Sequence, residues 1–167
     1  MASQQQPQPT TPVKVFVYGT LKKGLANHQH KMQPERYPNC TLLSAHAKTL
    51  NPFPLIIAGE RHVPYLMDFE GKGHQVMGEV YEVRDEGHLE ELDQFEGCDV
   101  GHYRRVLIDI LVQQSSDSND VVVVEKCYAY MRNKQEGDDE LLKEKEMIPC
   151  FTEEHDRNYS RASEHVG

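Results

Sequence analysis

Between Tyr103 and Val112 the chain alternates strictly, with Val106, Ile108, Ile110 and Val112 on one side and Leu107, Asp109 and Leu111 on the other. A period of two suits a strand with one buried face and does not suit a helix. Similar β-rich runs recur. Val13 to Tyr18 is β-branched and aromatic and is ended by Gly19, Gln75 to Val83 has mixed faces, and Val121 to Met131 opens on four valines. Cys40 to Leu50 reads as a further strand. Pro52, Pro54 and Gly59 leave Leu55 to Ala58 as no more than a short strand beside a loop. Helices are few: Asp85 to Glu96 is the clear one, stopped by Gly97, and Glu140 to Met147 is a short candidate. This balance predicts an α+β domain, a small mixed β-barrel packed with one or two short helices, closed so that its edges are protected.

The remaining segments are punctuation. Arg61 to Gly73, with Pro64 and two glycines, is expected as an irregular loop lining a site. Gln113 to Asp120 is expected as a polar loop. The expected division is a disordered Gln/Pro-rich tail over 1–12, one domain over 13–150, and a polar C-terminal tail over 151–167.

Composition narrows the function. A net charge of -9 and a pI near 5.4 argue against a nucleic-acid surface, because phosphate contacts need clustered Lys and Arg. No apolar run approaches the roughly 18 residues that span a bilayer. The N-terminal MASQQQPQPTTP has neither the basic nor the apolar stretch of a secretory signal. Cys40, Cys98, Cys127 and Cys150 are far apart and form no CxxC pair, so reduced thiols are expected. These features together point to a cytoplasmic protein away from membranes.

Two stretches carry candidate chemistry. The first is the helix Asp85 to Glu96. At about 100° per residue, Leu89, Leu92 and Phe95 share a face centred near Leu92, and Glu96 lies within about 40° of that centre. Glu91 and Asp93 sit about 100° away, with Glu90 and Gln94 nearly opposite. Glu96 is therefore the acidic residue aimed at the core. Burial and the helix C-terminus both disfavour its charged form, which suits a general base and acid. An acidic residue at a helix end is more often a plain surface charge.

The second stretch is VFVYGTLKKG, Val15 to Gly24. Gly19 can adopt φ > 0 and lets another group approach the backbone closely, and the N–H groups of Thr20 and Leu21 can converge on an anion. An ordinary strand-to-loop turn is the plainer alternative. A P-loop is excluded, since Leu25-Ala26 follows Gly24 where Lys-Ser/Thr is required. His28 and His30, alternating about Gln29, could share one side of a strand, but no third ligand stands at metal spacing. A hydrolase built on Cys98 would need a partner base that sequence does not supply. Tyr103 can reach a shared pocket or serve as a core tyrosine. The run DDELLKEKE reads as a solvated helix face.

Taken in order, VFVYGTLKKG with Asn27-His28, NPFPLIIAGERHVPYL (Asn51 to Leu66), GEVYEV, LDQFEGC and YRR resemble the γ-glutamylcyclotransferase (AIG2-like) family, closest to its γ-glutamylamine cyclotransferase branch. The likeness spans roughly Val13 to Met131. It implies a small β-barrel with a few helices. It implies substrate binding by the backbone of Tyr18, Gly19, Thr20 and Leu21, a pocket role for Tyr103, and a catalytic role for Glu96. The implied reaction closes a γ-glutamyl compound on itself to give 5-oxoproline and an amine or amino acid, without metal or cofactor. The expected partner is a small γ-glutamyl substrate, and the expected form is a monomer. A non-catalytic binding or regulatory protein on the same fold stays open, as does a preference for glutathione. The C-terminal IPCFTEEHDRNYSRASEHVG matches the family tail only loosely.

Overall fold

The computed structural model describes residues 12–116 and 119–164, so the expected N-terminal tail falls almost wholly outside the described residues. Five strands close into a barrel in the order β1 (Val13–Val17), β5 (Met77–Val83), β2 (Cys40–Thr49), β6 (Tyr103–Ser116), β7 (Asn119–Arg132). β7 returns to β1 in parallel, with Val15 opposite Tyr128, while the other neighbours are antiparallel, so the barrel is mixed as expected. A separate hairpin pairs β3 (Leu55–Ala58) with β4 (Val63–Leu66).

Alternation decides what lies inside. Phe16, Val80, Ala47, Ile110 and Ala129, one from each barrel strand, meet in the interior with Phe151. On β6 the predicted face holds: Ile108, Ile110 and Val112 are buried and Val106 packs against them, whereas Leu107 is exposed. The opposite face of β1 and β5, with Val15, Val17, Tyr81 and Val83, is covered from outside by Leu92 of the helix α2 (Glu86–Phe95) and by Met32, next to the short α1 (His28–Lys31). Gly78 belongs to the barrel wall because a Cβ there would meet Val17 O at 2.3 Å and the Phe16 ring at 2.7 Å.

Several local expectations change. Within the stretch expected as a loop, Gln113 to Ser116 and Asn119 to Asp120 are strand: β6 and β7 stay paired out to Ser116 opposite Asn119, since a backbone ladder is indifferent to the polarity of its side chains. Arg61 to Gly73 contains β4, and Pro64 is tolerated there because the two-stranded hairpin leaves one side of β4 without a strand partner. His28 and His30 lie on a helical turn, not a strand: His28 is buried and His30 exposed. The candidate helix Glu140 to Met147 is found as α3, which runs Asp138–Glu144 and is not wholly solvated, as Asp138 and Leu142 are buried. Beyond it, Glu153–Glu164 forms α4, and Phe151 just before it is fully buried in the barrel. All four cysteines are free thiols.

Candidate active site

At one end of the barrel, α2, the end of β1, the β3–β4 hairpin and α4 surround a cavity of about 350 Å³. Tyr18, Gly19, Thr20, Leu21, Glu96 and Tyr103, the residues singled out from sequence, all line it.

Glu96 is the C-cap of α2. The helix opens on Asp85, whose carboxylate accepts from Gly87 N at 2.9 Å. His88, Leu92 and Glu96 are spaced four apart and form the inward row. His88 and Leu92 are buried, and His88 stacks on Tyr37 at 3.8 Å. Phe95, expected on this face, instead lies at the cavity rim, 37% exposed. The chain turns at Gly97 with φ +71°, and a Cβ there would meet His102 Cδ2 at 2.8 Å, so both conformation and space require glycine. Asp93 ties the helix end to the barrel, accepting from the Tyr130 hydroxyl at 2.7 Å and pairing with Arg105 at 3.0 Å.

Glu96 is only partly accessible, and it borders the cavity. Burial pushes its carboxyl up from 4.5 to about 8. Burial also raises the phenols of Tyr18 and Tyr103 well above their usual value, with the Glu96 charge adding to the effect. Both phenols stay protonated and act as donors. The Tyr18 hydroxyl donates a hydrogen bond to Tyr130 O at 2.6 Å and the Tyr103 hydroxyl donates one to Pro64 O at 3.1 Å. A carboxyl poised near neutrality among neutral phenols can take up a proton and give it back.

The glycine turn is held by its carbonyls. Gly19 O accepts from Lys22 N at 3.0 Å, Thr20 O from Asn27 N at 3.0 Å, and Leu21 O lies 2.9 Å from His28 Nδ1. Gly19 does not use the positive φ open to it. The close approach that glycine permits is seen, because a Cβ would stand 2.8 Å from Pro64 Cγ. The β3–β4 hairpin can pack on the turn only over glycine.

Sequence reasoning missed several members of the site. His28 anchors Leu21, and Asn27 Nδ2 reaches both Thr20 Oγ1 at 2.9 Å and the Tyr159 hydroxyl at 3.1 Å. Arg132 lines the cavity, lies 4.4 Å from the Tyr65 ring centre and pairs with buried Asp138 at 3.3 Å. The adjacent Asn27-His28 within the resembling stretch was the only sequence signal for any of these. Cys98 does not line the cavity, and burial pushes its thiol up to about 11, which makes it a poor nucleophile. Among the described residues no cluster of His, Cys, Asp or Glu could hold a metal ion, and no helix is long and apolar enough to cross a membrane.

With this geometry in hand, known proteins supply a comparison. A family model described as gamma-glutamyl cyclotransferase, AIG2-like, matches residues 15–147. The gamma-glutamylaminecyclotransferase of Rattus norvegicus is 39% identical over 116 residues, covering 70% of this chain and 75% of the relative. The Homo sapiens protein of the same name is 38% identical over 121 residues, covering 71% and 77%. The crystal structure of an AIG2-like protein from Mus musculus superposes with a TM-score of 0.69 at 31% identity, over 84% of this chain and 88% of that one.

Proposed function

The chain belongs to the AIG2-like γ-glutamyl cyclotransferase family, and on that premise we propose that it is an active, cofactor-independent γ-glutamylcyclotransferase with Glu96 as its proton acceptor and donor. The observation that carries the proposal is the meeting of Glu96, raised towards neutrality, with the Tyr18–Leu21 turn in one cavity.

In this reading the N–H groups of Thr20 and Leu21 hold the anionic end of the γ-glutamyl unit, and Tyr103 packs against it. Glu96 takes a proton from the substrate's α-ammonium group. The freed amine attacks the γ-carbonyl of the same molecule, so a C–N bond forms within the substrate. The original γ-C–N bond then breaks as Glu96 returns the proton to the departing nitrogen, and the ring nitrogen's surplus proton passes to the departing amine, which leaves as an ammonium ion. 5-Oxoproline and an amine or amino acid leave, and the carboxyl ends as it began. The nucleophile is tethered, and effective molarities of about 10⁵ M or more are available to well-oriented intramolecular reactions. The enzyme's task is to fold the substrate into its ring-like conformer and relay protons from the attacking nitrogen to the departing one. The family resemblance and the relatives' names favour γ-glutamyl amines as substrates. A cytosolic monomer, acting on a small molecule and not on nucleic acid, belongs to the same proposal.

The test is 5-oxoproline release from γ-glutamyl-ε-lysine, γ-glutamyl-alanine and glutathione by wild type and Glu96→Gln. Release from at least one substrate by wild type, lost in the variant, is expected. A folded wild type that releases none would overturn the reading and point to a binding protein. Release that persists in the variant would remove Glu96 from the proton path.

A further inference from the structure

We infer that α4 supplies the outer wall of the cavity, and that the Tyr159 ring on it is the surface against which the leaving group packs. The inference rests on the cyclotransferase reading. α4 lies C-terminal to residues 15–147, the part that matches the family model, yet it contributes Tyr159 to the cavity lining.

The lining divides by exposure. Tyr18, Leu21 and Tyr103 are buried, and Glu96 and the turn sit among them, so the γ-glutamyl unit common to all substrates belongs at this inner end. The variable half of the substrate must then run outwards. On the side of the turn it meets Asn27 and Tyr159, both half-buried, and Arg61, which is exposed. The Tyr159 hydroxyl accepts from Asn27 Nδ2 at 3.1 Å, and Asn27 in turn holds Thr20 Oγ1 at 2.9 Å. The wall therefore begins directly beyond the turn. The Arg61 guanidinium lies over the Tyr159 ring, 5.8 Å from its centre, and adds a cation to the outer end of the wall.

This wall is clamped in place. Phe151 is fully buried in the barrel, Lys22 Nζ donates to Phe151 O at 2.5 Å, and Asp156 accepts from Ala26 N at 3.0 Å. These contacts join α4 to the loop that follows the glycine turn, so the Tyr159 ring holds a set position relative to Glu96. A fixed, half-buried ring rewards carbon chains long enough to lie along it. Short leaving groups stop before reaching it. The chemical class it selects is an amine on an extended aliphatic stem.

The experiment is kcat/KM for γ-glutamyl-n-alkylamines from methyl to hexyl, measured on the full chain as wild type, Tyr159→Ala and Tyr159→Phe. In wild type, kcat/KM should rise with chain length, by up to about fourfold for each methylene that becomes buried. Tyr159→Ala should flatten the series. Tyr159→Phe keeps the ring and loses only the bond to Asn27, so it should retain the slope even if every substrate slows together. A flat wild-type series would overturn the inference, as would equal slopes in wild type and Tyr159→Ala, or a slope lost in Tyr159→Phe. A wild type inactive on every member would sink the cyclotransferase reading instead, so the two failures are distinguishable.

Discussion

A base held near neutrality by burial must cost the fold stability at high pH, and Glu96→Gln should release that cost. The folded carboxyl titrates at about 8 against an ordinary 4.5. Between these values the folded chain keeps a proton that the unfolded chain has lost. The group's contribution to stability is thus fully present below about pH 4.5 and is lost as pH rises through about 8. At about 1.4 kcal/mol per pH unit over roughly 3.5 units, the ceiling on the loss is about 5 kcal/mol. Glu96 borders a cavity that water can enter, and such screening brings the expected figure to about 2–4 kcal/mol. Glutamine resembles the neutral acid in shape and polarity. Wild type and Glu96→Gln should therefore unfold alike in urea at pH 4.5. The variant should grow progressively more stable than wild type from pH 5 to pH 9, with the difference levelling above pH 8. Groups that titrate identically in both proteins cancel in the comparison. Curves that stay parallel across this range would show that the carboxyl is not perturbed by folding and would refute the electrostatic basis of its role.

Three further outcomes follow from the same geometry. The acid limb of kcat/KM should fall with an apparent pKa near 8, matching the raised Glu96, and a limb near 4.5 would mark a base in ordinary solvent. Gly19→Ala drives a methyl to 2.8 Å from Pro64 Cγ, so the turn and the β3–β4 hairpin must separate. A loss of about 1–3 kcal/mol by thermal or urea unfolding should accompany at least a tenfold fall in kcat/KM, and no change in either would contradict the packing. Asp138→Ala removes the carboxylate paired with Arg132, whose Nε already lacks a hydrogen-bond partner among the described residues, and the acceptor for Gln135 N at 2.9 Å. About 3–5 kcal/mol of stability should be lost, with a raised KM because Arg132 lines the cavity; a loss below about 1 kcal/mol would show the pair to be solvated.

What the sequence determined by itself was local or periodic. The alternation from Val106 to Val112 set the inward face of β6 without reference to any partner strand. The angle between Leu92 and Glu96 is a property of helical geometry, so Glu96 could be aimed inwards before its neighbours were known. The closed barrel was legible because several strand runs with few helices need their edges protected. What only the tertiary structure decided depends on residues far apart in the chain. Pro64 explains Gly19 because the two are brought into contact across 44 intervening residues, and no local feature of either announces it. The ladder from β6 to β7 runs through glutamines and serines because backbone pairing does not read side chains. Asp138 looked like one of many solvated charges until Arg132 met it beneath the surface. Tyr159 sits in a polar stretch with no signal of its own. It becomes part of the cavity because Phe151 anchors the chain in the barrel and Asn27 Nδ2 donates to its hydroxyl. Periodicity tells which way a side chain points, and only packing tells what it meets there.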